Sequence, residues 1–566
     1  MHLDERLLRN VMSSAHEAID PTGVPGLDVV VGGGLPRGAL MMIVGAPGSG
    51  KTVLANHIAF NACRAGRRTL ILTALSESTS KLISHLRGFA FFDEDLIGDA
   101  LQYLSVQQFL ERGLETTREE VVALARSSRA DMVIIDGFRG MYGSPVERQV
   151  PREFLYEIGT SLATIGATTI ITSEASPHDP ALFAEAATAD VILGMHYNLV
   201  GVAARRAIDV IKSRGQEHLS GLHGLVISSD GIEVCPRLEA RIALLRQHAL
   251  QSVLHDQSGQ RAAGLDQAEI SASNAEDRRG FDLPELDALL GGGFMPGTCT
   301  VIAGGAGTGK TTFAVRFALA GARVDEPVLY ISFYETLAQL VTKANQLGFG
   351  EELQRTLSPN GSLTFVRMEP VELDPDVVAN QLLQLMDSTG ARRFVIDGVA
   401  EMEEAAHAFG DSRRVAQYLS ALLEAQRMQG ITSLFTKAIP RTVGMMLDLS
   451  QQPLTLSADN VIVLQKMIYR RRLRSTLAVL KTRFSEHDPG IREFTIDAAK
   501  GLHVFTLEGS TEGLLESTSE AYELPTEGLL GARNTPRRRP AGQSRMSHGR
   551  DSHESSFSSG PAPEDS

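Results

Sequence analysis

The sequence has no tryptophan and only three cysteines, Cys63, Cys235 and Cys299. Three scattered cysteines give neither the paired framework of a small disulfide-rich protein nor the close spacing of a metal site. We therefore expect buried thiols in a reducing compartment. The fifteen histidines show no metal-ligand spacing either, so no transition metal is predicted.

Long apolar runs are also missing from the sequence. No stretch approaches the roughly 18 apolar residues that a membrane-spanning helix needs. The opening residues, MHLDERLLRN, lack the apolar core of a signal peptide. These absences predict a cytoplasmic protein without membrane contact. The formal net charge of -14 weighs against nucleic-acid binding, which needs a basic surface.

One motif is present twice. GAPGSGKT at 45–52 and GGAGTGKT at 304–311 both match G-x-x-x-x-G-K-[ST], each between a short apolar run and a helical pattern. In that context the backbone N–H groups of the loop and the helix N-terminus bind phosphate. The lysines would contact the β- and γ-phosphates of ATP, and the threonines would hold Mg²⁺. The candidate nucleotide-binding residues are Gly45, Gly48, Ser49, Gly50, Lys51 and Thr52, and Gly304, Gly307, Thr308, Gly309, Lys310 and Thr311.

Acidic residues follow two further apolar runs in each half. Glu77 and Glu335 come after β-rich segments, where a carboxylate at the carboxyl edge of a parallel sheet could orient an attacking water. Asp136 and Asp397 end the runs MVIID and RFVID, the pattern of a second Mg²⁺-holding acid. An apolar strand that ends in Asp is common by itself. The similar distance from each phosphate loop makes the pattern credible.

A charged signature, K-x-R-x-x-E-H, occurs near the end of each half. A solvated strand edge would explain either copy alone, because runs of charge usually face water. Identical spacing in two copies favours a function for both. The residues concerned are Lys212, Arg214 and His218, and Lys481, Arg483 and His487.

Strand patterns alternate with helical patterns through both halves, which predicts the α/β class. Each half is expected to form a mostly parallel sheet flanked by helices. We predict two domains, at 20–240 and 276–508, after an N-terminal segment at 1–19. The polar stretch 241–275 is interpreted as a linker. Residues 509–566 are rich in Ser, Pro, Gly, Arg and Glu and are predicted to be disordered.

The glycine triplet and Pro-Gly turn before each phosphate loop, the paired loops and the K-x-R segments together resemble the KaiC family of duplicated RecA-like ATPases. The resemblance implies two tandem RecA-like P-loop NTPase domains in a homohexamer with ATP at the subunit interfaces. It further implies ATP hydrolysis, serine/threonine autokinase activity in the second half, and partner proteins that are KaiB-like or otherwise signalling. By the same resemblance, the K-x-R residues would reach the ATP of a neighbouring subunit.

Two departures from the family pattern leave alternatives open. The family has two adjacent glutamates, and here Ser76 and Tyr334 stand in place of the first. If the missing glutamate is the activating base, the protein would be a catalytically weak, ATP-gated oligomeric scaffold. The family's adjacent Ser-Thr phosphoacceptor pair is also absent, and Thr455 and Ser457 are the nearest candidates. A third alternative, a DNA-acting RecA-like ATPase, is disfavoured by the acidic charge.

Overall fold

The computed structural model describes most of the two halves but not the whole chain. Apart from Leu3, Asp4, Arg6 and Leu8, the described residues are 19–73, 79–138, 150–176, 187–200, 202–255, 278–409, 412–439, 453–469, 472–498 and 501–506.

The strands of the described residues are numbered β1 to β20 in chain order. Those of the first half are β1 (Ile19–Asp20), β2 (Leu35–Pro36), β3 (Leu40–Gly45), β4 (Thr69–Thr73), β5 (Leu101–Ser105), β6 (Met132–Asp136), β7 (Thr168–Glu174), β8 (Val191–Val200), β9 (Ala203–Ser213), β10 (His223–Ser228) and β11 (Gly231–Cys235). Those of the second half are β12 (Cys299–Gly304), β13 (Val328–Ser332), β14 (Leu363–Arg367), β15 (Arg393–Asp397), β16 (Thr432–Ala438), β17 (Asn460–Tyr469), β18 (Arg472–Thr482), β19 (Arg492–Asp497) and β20 (Gly501–Thr506).

Helices connect the strands and cover the sheets. In the first half they are Leu27–Val31, Lys51–Arg64, Thr79–Leu86, Gln107–Leu110, Leu114–Ser128, Val150–Thr164 and Leu238–His255, with a short 3₁₀ turn at Glu94–Leu96. In the second half they are Pro284–Leu289, Lys310–Ala322, Leu337–Gln346, Gly350–Thr356, Pro375–Thr389, Ala400–Ala408, Ser412–Met428 and Pro453–Ser457. Within the described ranges, no helix has both the length and the apolar character needed to cross a membrane.

Within the described residues, each half contains one nine-stranded sheet. The strand order is β11-β10-β9-β8-β3-β7-β6-β4-β5 in the first half and β14-β13-β15-β16-β12-β17-β18-β19-β20 in the second. Six strands of each sheet run parallel, and the last three are added as antiparallel hairpin strands. The predicted α/β class with two tandem, mostly parallel sheets is confirmed.

The central strands read as unbroken apolar runs because both faces of each sheet are covered. Every residue of β3 and of β12 is buried. Each of these two strands leads directly into a helix that begins at a lysine, Lys51 or Lys310. In both halves a phosphate-loop motif therefore lies between a central parallel strand and a helix, as the sequence pattern predicts.

The predicted linker begins inside a helix. Residues 241–255 belong to the helix Leu238–His255, whose Ile242 and Leu245 are buried in the core. Polar residues dominate only after His255, so the composition of the whole stretch 241–275 conceals the helix at its start. Residues 256–275 of the predicted linker and the predicted tail 509–566 lie outside the described residues.

Candidate functional site

The phosphate loops depend on glycine conformations that other residues rarely adopt. Gly50 has φ of 104° and Gly309 has φ of 98°, both in the left-handed region. A Cβ at Gly50 would lie 2.6 Å from Ile227 Cδ1, and one at Gly309 would lie 2.5 Å from Ile496 Cδ1. A side chain at either position would strain the backbone and displace the tip of an isoleucine on a neighbouring strand.

The loop lysines fold back onto their own loops. Lys51 Nζ donates to the carbonyl oxygens of Gly45 and Ala46, both at 3.0 Å. Lys310 Nζ makes the equivalent contacts with two loop glycines, both at 2.9 Å. Burial lowers the pKa of both ammonium groups. Each lysine is therefore held at the mouth of a loop by weak carbonyl acceptors, which phosphate oxygens can replace with a stronger charge-assisted bond.

The structure brings Asp136 and Thr52 together across the sheet. Strand β6, which ends in Asp136, is separated from β3 by one strand, β7. Thr52 Oγ1 donates to Asp136 Oδ1 at 3.2 Å. Thr172 of β7 donates to the same oxygen and accepts a bond from Gly137 N at 2.8 Å. Burial raises the pKa of Asp136, and the two hydroxyl donors oppose that rise.

The second half holds its aspartate differently. Thr436 Oγ1 donates to Asp397 Oδ1 at 2.6 Å, as Thr172 does in the first half. The second donor, however, is Tyr330, whose hydroxyl reaches Asp397 Oδ2 at 3.1 Å. The described bonds to this carboxylate thus come from two neighbouring strands rather than from Thr311. Tyr330 and the two strand threonines are site residues that the sequence patterns did not reveal. A threonine at the fifth position of both β7 and β16 was the available signal.

Glu335 follows β13, as its sequence pattern indicates. Its N–H donates to Ser332 Oγ at 3.1 Å, and its carboxylate accepts from Lys343 Nζ at 3.0 Å. Tyr334, the replacement for the first family glutamate, donates to the Glu401 carboxylate and is more than half exposed. The corresponding residues of the first half, Ser76 and Glu77, lie outside the described residues.

A carboxylate that the sequence patterns missed lies at the edge of the first site. Glu174 is the last residue of β7 and is the parallel partner of Gly45, the first residue of the phosphate loop. Its negative charge acts on Lys51, where it raises the pKa against the lowering caused by burial. The matching register position of the second half, opposite Gly304, is Ala438.

The K-x-R segments have matching surroundings in the two halves. Lys212 donates to Ala187 O at 3.3 Å, and Lys481 donates to Ala458 O at 2.5 Å. The arginine of each pair lies 3.6 Å from a carboxylate just before the preceding strand, β8 or β17: Arg214 from Asp190, and Arg483 from Asp459. The similar environments indicate that the repeated signature forms one structural feature, present twice.

The histidines of the signature are both partly exposed. Burial lowers the pKa of His218. His487 Nδ1 lies 2.9 Å from Thr482 Oγ1, on the strand that carries Lys481. The segment after Lys212 also contacts the glycine triplet, because Gln216 Nε2 donates to Gly34 O at 3.0 Å. The signature therefore packs against the turn that precedes the phosphate-loop strand.

The strand register separates each K-x-R segment from the phosphate loop of its own half. Lys212 pairs with Ile192, which pairs with Met42 near the start of β3. In the second half, Lys481 pairs with Val461, which pairs with Val301 near the start of β12. The loops follow the carboxyl ends of β3 and β12, whereas these basic residues lie near the amino ends. One chain therefore does not bring its K-x-R residues to its own loop lysine.

The phosphoacceptor candidates also lie at the amino edge of the second sheet. Thr455 and Ser457 belong to the short helix that directly precedes β17. Thr455 is 9% exposed. Ser457 Oγ lies 3.3 Å from Ser420 Oγ. Both candidates are thus on the side of Lys481, not on the side of the loop that holds Lys310.

Comparison with known proteins agrees with this paired geometry. A family model described as "ATPase: KaiC" matches residues 20–239 and again residues 282–509. The chain belongs to the KaiC family of ATPases. A Synechocystis protein named circadian clock protein KaiC3 is 23% identical over 511 residues, which cover 88% of this chain and 94% of the relative. The circadian clock oscillator protein KaiC of Thermostichus vulcanus is 24% identical over 522 residues, covering 89% of this chain and 92% of the relative.

Membership in the KaiC family confirms the predicted resemblance and the two tandem RecA-like domains. It also makes ATP the ligand to consider for both phosphate loops, since the family is one of ATPases. The identity to the named clock proteins is below one quarter.

Proposed function

We propose that this protein hydrolyses ATP in an Mg²⁺-dependent reaction and is a serine/threonine autokinase in its second half, as a clock-type or other signalling regulator. The observation that carries the proposal is the paired site. In each half a loop lysine folds onto its loop beside a buried aspartate that accepts bonds from hydroxyl groups. Lysine, hydroxyl and carboxylate form the donor set that a Mg²⁺-bound triphosphate requires.

Each residue type has a distinct role in this proposal. Lys51 and Lys310 neutralise charge on the β- and γ-phosphates, which lowers the barrier to transfer. Thr52 and Thr311, with Asp136 and Asp397, would hold Mg²⁺, and the ion when bound would neutralise further phosphate charge. Glu77 and Glu335 would position the nucleophile, which is water in hydrolysis and a protein hydroxyl in autophosphorylation.

A reaction between subunits is supported by the separation of the two sheet edges. The loop lysines lie at the carboxyl edges, whereas the K-x-R residues and the phosphoacceptor candidates lie near the amino edges. We therefore propose a homohexamer with ATP between neighbours. Lys212, Arg214, Lys481 and Arg483 would contact a neighbour's phosphates, with His218 and His487 beside them. Thr455 or Ser457 would accept a phosphoryl group from a neighbour's ATP.

The second candidate function is an ATP-gated scaffold with little turnover. One observation favours it: the Glu335 carboxylate is engaged by Lys343 at 3.0 Å, and the residue before it is a tyrosine. A carboxylate oxygen that already accepts a bond from an ammonium group is less available to hold a nucleophile. In this case ATP would drive assembly without hydrolysis.

Incubation of the full chain with γ-labelled ATP and Mg²⁺ distinguishes these functions. Free phosphate and protein-bound label are followed together in the wild type and in the Lys51→Ala and Lys310→Ala variants. For an autokinase in the second half, we expect protein label that disappears with Lys310→Ala. Thr455→Ala and Ser457→Ala would then identify the acceptor.

Three other outcomes of this experiment would change the proposal. Phosphate release without protein label would leave an ATPase and remove the kinase from the proposal. Bound ATP with neither signal would establish the scaffold. Unchanged ATP binding in both lysine variants would refute the site assignment itself, since each lysine is needed to neutralise the phosphates of its own half.

A further inference from the structure

The end of β7 carries a charge that the end of β16 lacks. In β7, Glu174 lies two residues beyond Thr172, so both side chains are on the same face of the sheet. Thr172 donates to Asp136 on that face. Glu174 is exposed and is the register partner of Gly45. Its carboxylate therefore faces solvent at the mouth of the first phosphate loop.

Lys51 binds the carbonyl group of Gly45, the register partner of Glu174, so its ammonium group lies beside the strand end that carries this carboxylate. Lys51 is only 7% exposed, and its hydrogen bonds go to two neutral carbonyl groups. A buried ammonium group needs negative charge nearby to remain charged. Glu174 and Asp136 are the carboxylates that supply this negative charge.

The second half has the same framework without this charge. Thr436 and Ala438 occupy the positions of Thr172 and Glu174, and Ala438 is the register partner of Gly304. The residue before Ala438, Lys437, is paired with Glu403 at 2.6 Å, and that pair neutralises its charge. For Lys310, the carboxylate that supplies the negative charge is Asp397.

We propose that Glu174 is an internal counterion of Lys51 that weakens nucleotide binding in the first half relative to the second. This inference rests on the proposed function, because it takes both loops as nucleotide sites. A triphosphate that enters the first loop competes with Glu174 for the positive charge of Lys51 and comes close to a like charge. At the second loop no carboxylate stands at this position, so the phosphates meet less repulsion.

Two substitutions test the proposal, one that removes the carboxylate from the first site and one that adds a carboxylate to the second. Lys310→Ala isolates the first site and Lys51→Ala isolates the second, and each variant is titrated with a fluorescent ADP analogue and Mg²⁺. In the first background, Glu174→Gln should tighten the Kd by about threefold to tenfold, the range for one charge near a surface site. In the second background, Ala438→Glu should weaken the Kd by a similar factor. Both positions are exposed, so neither change disturbs the core.

Controls separate a charge effect from a structural one. Glu174→Asp keeps the charge and should leave the Kd within about twofold of the parent, a difference of less than roughly 0.5 kcal/mol. The gain from Glu174→Gln should shrink as salt is raised, because screening weakens exposed charges. An unchanged Kd for Glu174→Gln, with binding intact in the parent, would overturn the counterion while leaving the proposed function standing. No binding in either parent would overturn both.

Discussion

At the scale of single residues, the two halves differ in how their buried aspartates are held. Asp136 accepts bonds from Thr52 and Thr172, whereas Asp397 accepts bonds from Thr436 and Tyr330. Tyr330 lies at a position that is apolar in the first half, since its counterpart on β4 is Ile71 by strand register. Burial raises the pKa of the Tyr330 hydroxyl well above its usual range, so this group remains a donor to the carboxylate.

We predict that Tyr330→Phe destabilises the second half more than an equivalent change elsewhere. Removal of a donor to a buried carboxylate costs about 1.5–3 kcal/mol of unfolding free energy. The matched control is Tyr418→Phe, since Tyr418 is also fully buried but donates to a neutral acceptor, Pro375 O, at 3.1 Å. That change should cost only about 0.5–1.5 kcal/mol. Urea unfolding measures both, and an equal or larger loss for Tyr418→Phe would contradict the prediction.

His223 makes the stability of the first half depend on pH. It is fully buried, its Nδ1 accepts from Arg237 N at 3.0 Å, and its Nε2 lies 3.1 Å from Leu219 O. Burial lowers its pKa to about 4, and the charges of Arg237 and Arg241 act in the same direction. A backbone N–H that donates to Nδ1 requires the neutral ring, so protonation would break this bond.

The sign of the pH effect follows from that lowered pKa. Below the usual histidine pKa of about 6.5 the unfolded chain takes up a proton that the folded chain refuses until about pH 4. Stability from this group is therefore complete above pH 6.5 and is lost as the pH falls, by at most about 1.4 kcal/mol per pH unit. His223→Asn keeps an acceptor without a titratable ring. It should flatten the pH dependence of urea midpoints between pH 6.5 and 4, and an unchanged slope would argue against His223 as its source.

At the scale of elements, the helix Leu337–Gln346 is anchored directly beside Glu335. Thr336 and Gln339 form a capping box in which each side chain accepts from the other's backbone N–H. Lys343, two turns along the same helix, holds the Glu335 carboxylate. The start of the helix therefore fixes the backbone next to the proposed nucleophile-positioning residue.

We predict that Thr336→Ala lowers the unfolding free energy by about 1 kcal/mol, the usual cost of a lost cap. Thr342→Ala is the matched control on the same helix. Its hydroxyl is bonded back to Ala338 O at 2.8 Å within the helix, and alanine is the better helix former there. Thr342→Ala should thus be neutral or slightly stabilising in thermal unfolding. If both variants lost the same stability, the capping box would not be the source.

The elements also show which features the sequence predicts and which it does not. Strands such as β6 and β15 are predictable because unbroken apolar runs end in a single acid. The contacts of Thr172 and Tyr330 were not, because they depend on which strands become neighbours in the sheet. Residues 241–255 of the helix Leu238–His255 fall within the predicted linker, because the stretch 241–275 is polar when taken as a whole. Residue patterns reveal local structure, whereas lateral strand order is set by packing.

At the scale of the whole molecule, a buried group of charges joins the two halves. Arg205 on β9 donates to Asp374 at 2.7 Å and to Asp376 at 2.5 Å, and its guanidinium lies 4.4 Å from the ring centre of Phe409. Arg414 of the second half also binds Asp376, at 2.5 Å, and reaches Glu239 of the first half at 3.2 Å. Asp376 is fully buried, so its charge depends on both arginines.

We predict that Arg205→Met weakens the connection between the halves. Removal of one partner from a buried ion pair costs about 3 kcal/mol, because it leaves a charge less compensated. Since Arg205 belongs to the first half and its partners to the second, the loss falls on their interface. Calorimetry should then show two separate unfolding transitions, each belonging to one half, instead of a single cooperative one.

The neighbouring arginine provides the control for this prediction. Arg206 lies on the same strand, 4.7 Å from the ring centre of Tyr197 in the first half. Arg206→Met removes the same charge from the chain, yet loss of a partly exposed cation–π contact costs only about 0.5–1 kcal/mol. The single transition should persist in this variant. Identical calorimetric traces for Arg205→Met and Arg206→Met would mean that apolar packing, rather than the buried charges, holds the two halves together.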